Sequence, residues 1–102
     1  MNQQIKNQLK KAKEDYAKEG FGILGVFGSY ARGEETDKSD LDILYELNEK
    51  FINKYDGFSA FARLSAIKEE LKALFHIDVD IAAKSGLSRT AKKYIFKDLE
   101  YV

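Results

Sequence analysis

The chain has 102 residues and a mass of 11.7 kDa, which predicts one domain with a modest hydrophobic core and makes a second domain unlikely on size grounds. Seventeen basic and seventeen acidic residues give a formal net charge of zero, which argues against bulk electrostatic binding of nucleic acid. The absence of cysteine excludes disulfides and thiolate metal sites. We expect a cytoplasmic protein without membrane association, because no apolar run approaches the roughly 20 residues that span a bilayer and residues 1–4 do not resemble a secretory signal.

The first quarter of the chain predicts a helix followed by a buried strand. Apolar residues recur at spacings of four, three and four, which is the period of an amphipathic helix over residues 3–19. These residues are Ile5, Leu9, Ala12 and Tyr16. Gly20 is a plausible end for this helix. The short apolar run at residues 23–27 is bounded by glycines and predicts a first strand buried on both faces.

The next segment predicts a turn, a polar loop and a second strand. After Gly28, residues 29–33 have room for a single helical turn, and residues 34–38 are polar. Residues 41–47 alternate between apolar and other positions with a period of two, which predicts a strand. Its second face begins with Asp40 and Asp42.

The second half predicts a helix, a strand and a final helix. Residues 48–57 form a polar connection, and apolar side chains then recur along one side of a helix over residues 59–75. Residues 77–82 alternate as a third strand, and Ser88 can cap a last helix. The expected fold is α/β, of the α+β type, with a small mixed sheet of three or more strands packed with about three helices.

Two carboxylates on the second strand indicate a metal site. Asp40 and Asp42 point to the same side of an extended segment, because side chains on a strand alternate between faces. Like charges this close repel each other, and the usual remedy is a bound divalent cation. The Gly28-Ser29 turn supplies backbone N–H groups and a hydroxyl that can hold a phosphate beside that cation. This combination predicts phosphoryl or nucleotidyl transfer.

A third carboxylate joins them if the second and third strands are neighbours. Asp80 would then lie on the same face as the pair, within reach of a shared ion. Magnesium suits such a site, and two ions could activate an attacking hydroxyl and stabilise the leaving pyrophosphate.

Each feature also has a plainer interpretation. Gly28 can be an ordinary turn glycine and Ser29 a helix cap. Asp40 and Asp42 can mark a solvated loop end, and Asp80 can be one of the charges that protect an edge strand from aggregation. A site is favoured because the turn, the carboxylate pair and the third carboxylate occur together. Without a site, three unrelated features would have to fall by chance on three successive strands.

Several other side chains are candidates with weaker support. Arg32 lies four residues after Gly28 and can contact a phosphate, although an exposed arginine is common. The cluster of Arg89, Lys92 and Lys93 could grip a triphosphate, but a solvated helix face explains it more simply. The single histidine, His76, is expected to be structural.

These motifs resemble the minimal nucleotidyltransferases of the polymerase-beta superfamily. Their hallmark is Gly-Ser, about ten residues, Asp-x-Asp, and a later lone Asp on a strand. Here the matching positions are Gly28-Ser29, Asp40-Leu41-Asp42 and Asp80. The resemblance covers most of the chain. Asp78 is a rival for the lone Asp, but only residues 79–82 complete the family pattern of apolar, Asp and two apolar residues.

The resemblance implies roles and partners. Gly28 and Ser29 would hold the phosphates of ATP, Asp40 and Asp42 would bind Mg²⁺, and Asp80 would be the third ligand or the base. Small members of the family commonly act as antitoxins that transfer AMP from ATP to a tyrosine of a HEPN-type helical toxin. The chain is too short for the acceptor-selecting domains of larger relatives, so a partner or self-association would supply that surface.

Two rival functions remain open from the sequence. The first is a binding module that blocks a toxin sterically and does not need catalysis. The second is an α/β domain with exposed aspartates and no site.

Overall fold

The structure is a computed structural model that describes residues 1–102. It contains helices, strands and one 3-10 turn in the order α1 Gln3–Ala17, β1 Phe21–Phe27, α2 Ser29–Arg32, β2 Leu41–Leu47, α3 Glu49–Lys54, α4 Phe58–Phe75, β3 Val79–Ala83, the 3-10 turn Lys84–Gly86, α5 Arg89–Asp98 and β4 Glu100–Tyr101. The predicted α+β class is confirmed. No helix combines the length and the apolar character that crossing a membrane requires.

The four strands form one mixed sheet in the order β3-β2-β1-β4. β1 runs antiparallel to both β2 and β4, whereas β2 and β3 are parallel. A parallel pair needs a long crossover connection, and α3 and α4 supply it here. The expectation that the second and third strands are neighbours is therefore confirmed.

The main core lies between one face of the sheet and the two long helices. Alternate residues of β2 enter this core together with residues of α1 and α4. The participants from β2, α1 and α4 include Leu41, Ile43, Tyr45, Leu9, Ile67 and Leu71. Because side chains on a strand alternate, the residues between them, including Asp42, face away from α1 and α4.

The region at residues 48–57 was predicted as a polar connection, and this prediction was wrong in part. The Asn48 side chain accepts hydrogen bonds from the backbone N–H groups of Lys50 and Phe51, and so caps helix α3. Phe51 is fully buried in the core. A cap and one buried aromatic side chain order a short helix that has no apolar period of its own.

Other differences concern the ends of elements. β1 begins two residues earlier than predicted, at Phe21, and β3 begins two residues later, at Val79. Helix α1 ends at Ala17 rather than at residue 19. The final strand β4 was not foreseen, because a strand of two residues carries no period.

A cluster of polar side chains joins α1 to α4 on the helical side of the molecule. Arg63 of α4 donates from Nε and Nη2 to Glu19 at 2.6 and 2.8 Å, and from Nη1 to Glu70 at 2.8 Å. The hydrogen bond from Arg63 is the largest cause of the lowered pKa of Glu19, and burial of that carboxylate opposes it. Tyr16 of α1 donates to Glu70 at 2.7 Å. This cluster fixes the two helices against each other behind the sheet.

Gly25 allows β4 to approach β1 closely. It pairs with Tyr101, beside an irregularity in the register between Ile23 and Gly25. A Cβ atom added at Gly25 would collide with the backbone oxygen of Glu100.

We expect Gly25→Ala to lower the free energy of unfolding by about 2 kcal/mol, because the added methyl group forces β4 away from β1. Gly86→Ala is the matched control, since nothing lies within 4 Å of its added Cβ atom. Urea denaturation of the two variants measures the difference. Equal midpoints would contradict the close approach.

Candidate active site

Asp42 and Asp80 lie directly opposite each other on β2 and β3. Neighbouring strands are about 4.8 Å apart, so the two carboxylates leave the same face of the sheet side by side. This face is the one turned away from α1 and α4. The structure therefore brings together two of the three predicted acidic residues through strand pairing alone.

Gly28 brings the backbone turn against this pair. The residue before it, Phe27, is the partner of Asp42 in the antiparallel pairing of β1 with β2. Gly28 has φ 78° and ψ −154°, a conformation that is essentially limited to glycine. A Cβ atom at this position would collide with Oδ2 of Asp42. Glycine is needed here both for the turn and for the space beside the carboxylate.

Ser29 follows as the first residue of α2, which is the single helical turn that the sequence predicted. The first N–H groups of a helix have no partner within the helix. Gly28 has no side chain with which to cap them. The first backbone N–H groups of α2 therefore receive no hydrogen bond acceptor from a capping side chain. They belong to the turn that lies against the Asp42 carboxylate.

The electrostatics of Asp42 reflect its acidic neighbours. Burial is the largest cause of the raised pKa of Asp42, followed by the charges of Asp80 and then Asp40, while the charge of Arg32 acts in the opposite direction. The charge of Asp40 therefore also acts on Asp42, although only Asp80 lies directly opposite it. An ionised Asp42 therefore destabilises the folded state, and carboxylates with perturbed pKa values are frequent at functional sites.

The surroundings of Asp40 and Asp80 are more open. Asp40 is exposed and lies just before the first residue of β2. Asp80 has a side chain that is 60% exposed, and its Oδ1 lies 3.4 Å from Nζ of Lys68. β3 is an edge strand, and Lys68 reaches Asp80 from α4. Sequence reasoning missed Lys68, because nothing in the period of α4 distinguishes it from the other lysines.

The donor set fits magnesium in part. No group of three or more acidic, histidine or cysteine side chains is arranged closely enough to hold a metal ion by itself. Two adjacent carboxylates are oxygen donors of the kind that Mg²⁺ prefers, and Mg²⁺ commonly completes its octahedral shell with water and substrate phosphates. The site fits an ion that arrives together with a nucleotide.

Arg32 is already paired within the chain. Its Nε donates to Oε2 of Glu34 at 3.1 Å and its Nη1 donates to Oδ2 of Asp98 at 3.0 Å. The hydrogen bond that Arg32 donates to Asp98 is the largest cause of its raised pKa, and the one that it donates to Glu34 is the second. Asp98 is the last residue of α5, and sequence reasoning did not single it out.

The remaining candidates lie outside the carboxylate pair. Asp78, the rival of Asp80, precedes β3, and its Oδ1 lies 3.7 Å from Nζ of Lys72. Its backbone oxygen accepts from Leu41 N at 2.8 Å, which helps to start the pairing of β2 with β3. His76 is the left-handed C-cap of α4, with φ 57°, and its role there is structural.

The basic cluster of Arg89, Lys92 and Lys93 is exposed at the beginning of α5. Lys92 lines an open cavity of about 500 Å³ at the far end of β2, together with Lys84 and Glu46. Asp42 and Asp80 do not line this cavity. The structure does not place the basic cluster against the carboxylate pair.

Comparison with known proteins assigns the chain to a family. The nucleotidyltransferase domain family matches residues 5–102. A Methanocaldococcus jannaschii protein with the provisional name of protein adenylyltransferase is 37% identical over 102 residues, which cover 97% of this chain and 95% of that protein. The protein adenylyltransferase MntA of Thermococcus cleftensis is 32% identical over 98% of this chain and 94% of its own length.

Solved structures agree with this assignment. A protein provisionally described as a minimal nucleotidyltransferase superposes with a TM-score of 0.71 at 28% identity, covering 100% of this chain and 97% of that one. A chain of a toxin-antitoxin complex solved with AMP-PNP superposes with a TM-score of 0.67 at 18% identity, over 93% of this chain and 69% of that one, and shares the fold. Because the family match extends over nearly the whole length, this protein belongs to the nucleotidyltransferase domain family and is an enzyme of its minimal type.

Proposed function

We propose that the protein transfers AMP from ATP to a hydroxyl group of a partner protein in a Mg²⁺-dependent reaction, and that it acts as the antitoxin of a toxin-antitoxin pair. The proposed acceptor is a tyrosine of a HEPN-type helical toxin. The observation that carries the proposal is the register of β2 and β3, which sets Asp42 opposite Asp80 beside the Gly28 turn.

The comparisons support the protein acceptor and the antitoxin role. Two relatives that align along almost their whole length are named as protein adenylyltransferases. The structural neighbour with AMP-PNP is a toxin-antitoxin complex. The HEPN-type toxin and its tyrosine rest on the resemblance of the sequence motifs to the minimal nucleotidyltransferases.

The residues of the site suit this reaction. Asp40 and Asp42 would hold two Mg²⁺ ions, with Asp80 as a third ligand or as the base. When bound, Mg²⁺ would neutralise the negative charge of the ATP phosphates. The Gly28-Ser29 turn would hold the triphosphate through backbone N–H groups.

AMP transfer would be a single displacement at the α-phosphorus of ATP. The acceptor hydroxyl oxygen attacks the α-phosphorus of ATP and forms a new P–O bond. The bond from the α-phosphorus to the bridging oxygen breaks, and its electron pair leaves with pyrophosphate. As the base, Asp80 would accept the hydroxyl proton on its carboxylate.

A non-catalytic antitoxin that blocks its partner sterically is the second candidate. Phe58 and Phe61 favour it, because these side chains are 93% and 73% exposed at the start of α4 and line a small apolar cavity with Gly57. If the Asp40→Ala, Asp42→Ala double variant neutralises the toxin as well as the wild type does, this candidate is supported.

The first prediction from this proposal concerns AMP transfer. We expect Asp42→Asn to lower labelling of the partner by at least about a hundredfold with labelled ATP, because the variant loses a charged oxygen donor at the metal site. The product of the neighbouring reading frame serves as the acceptor in this assay, and the labelled residue is identified by mass spectrometry.

Asp56→Asn is the control for this experiment, because Asp56 is exposed in the loop before α4 and lies outside the site. It should label the partner as the wild type does. Equal labelling by wild type and Asp42→Asn would refute the proposed reaction.

The second prediction concerns stability. The raised pKa of Asp42 means that its ionised carboxylate is less stable in the folded state than in the unfolded chain. Asp42→Asn should therefore stabilise the metal-free protein at pH 7, by up to about 1 kcal/mol after allowance for solvent screening. The gain should vanish as the pH falls below about 3.9, the ordinary pKa of aspartate, where both states are protonated.

Thermal unfolding with and without Mg²⁺ and an ATP analogue checks both parts of this prediction. The ligands should raise the Tm of the wild type and leave that of Asp42→Asn nearly unchanged. If Asp42→Asn is less stable than the wild type at pH 7, the repulsion assigned to the Asp42 carboxylate is contradicted.

The third prediction concerns the turn. Gly28→Ala should abolish AMP transfer, because its methyl group displaces the Asp42 carboxylate. Gly57→Ala is the matched control, since Gly57 also has a positive φ, 50°, but no atom lies within 4 Å of its added Cβ atom. Both variants carry backbone strain, so the Tm of each should fall, and that of Gly28→Ala should fall further because its methyl group also collides with the Asp42 carboxylate. Retained transfer in Gly28→Ala would argue against a role for this turn.

A further inference from the structure

The guanidinium group of Arg32 is held from two sides. Asp98 accepts from Nη1 at 3.0 Å and Glu34 accepts from Nε at 3.1 Å. The Asp98 side chain is 26% exposed and that of Glu34 is 66% exposed. Asp98 is therefore the better shielded anchor of the two.

This arrangement leaves part of the guanidinium group free. Arginine has five N–H donors in a rigid planar fork, and the two carboxylates use the Nε and Nη1 positions. The Nη2 donors make no hydrogen bond within the chain. They remain available to an anion, and a planar fork of this kind suits phosphate oxygens.

Arg32 lies within electrostatic reach of the proposed site. Its backbone N–H donates to the backbone oxygen of Gly28 at 3.1 Å, so it belongs to the turn that lies against Asp42. Its charge opposes the burial and the acidic neighbours that raise the pKa of Asp42.

The position of Asp98 is set by the strand that follows it. β4 begins two residues later and pairs Glu100 with Val26 and Tyr101 with Gly25. Lys6 of α1 also forms an ion pair with Glu100 at 3.1 Å. The end of α5 is thus attached to the central sheet, although α5 contains no buried residue. Asp98 is consequently a fixed point against which Arg32 is held.

We propose that Asp98 is a positioning residue for nucleotide binding, which holds the Arg32 guanidinium at the Gly28 turn so that its free donors meet the triphosphate of ATP. This inference rests on the proposed function, because it takes a nucleoside triphosphate as the ligand. An ion pair near the surface contributes little to folding stability. It contributes to binding because an arginine that is already ordered loses less freedom when the ligand arrives.

Calorimetric titration with an ATP analogue and Mg²⁺ tests the inference without requiring turnover. Asp98→Asn should weaken binding about fivefold, since Arg32 must then be ordered by the ligand. Arg32→Met should weaken it by about tenfold or more, because it removes the charged donors themselves. The double variant should bind no more weakly than Arg32→Met, because Asp98 acts only through Arg32.

Two further variants separate positioning from other effects. Asp98→Glu keeps the charge and should recover most of the affinity that Asp98→Asn loses. Glu14→Gln removes an exposed carboxylate from α1 and should bind as the wild type does. Thermal unfolding of each variant shows that the fold is kept.

The possible outcomes distinguish this inference from the proposed function. Wild-type affinity in Asp98→Asn, tighter binding in that variant, or additive losses in the double variant would each overturn the role of Asp98 and leave AMP transfer untouched. If the wild type binds the nucleotide but labels no partner, the proposed function fails while the affinities still decide the role of Asp98. Failure of the wild type to bind the nucleotide overturns both.

Discussion

The parallel pairing of β2 with β3 is the constraint on which the rest of the site depends. It sets Asp42 opposite Asp80, and a shift of one residue would turn Asp80 into the apolar core. Burial of Leu41 and Val79 on the opposite face fixes this register, because both side chains must remain in the core. The hydrophobic face of the sheet thereby holds two repelling carboxylates together on the other face.

The positive charges near the site come from outside the strands. Lys68 of α4 lies against Asp80, and Arg32 of α2 lies between the site and α5. Both lysine and arginine side chains are long enough to reach carboxylates that the backbone keeps at a distance. The net charge of zero is thus compatible with strong local fields, because opposite charges are paired across elements rather than spread evenly.

Stability and function are assigned to different parts of the fold. On the helical side, Tyr16 of α1 and Glu19 just after that helix join Glu70 and Arg63 of α4 through short hydrogen bonds. On the other side, Gly28 adopts a conformation that other residues avoid, and burial and the neighbouring carboxylates raise the pKa of Asp42. The well-packed core compensates for the unfavourable features of the site, which is a common division in enzymes.

The sequence by itself determined the long helices α1 and α4, the strand β2 and the spacing of Gly28, Asp42 and Asp80, because local periodicity records which face each side chain takes. Helix α3, strand β4 and the partners Lys68 and Asp98 were decided by tertiary structure. Lys68 and Asp80 are 12 residues apart, and Arg32 and Asp98 are 66 residues apart. No local pattern encodes such pairs, since they form only when the packing of the core brings distant segments together.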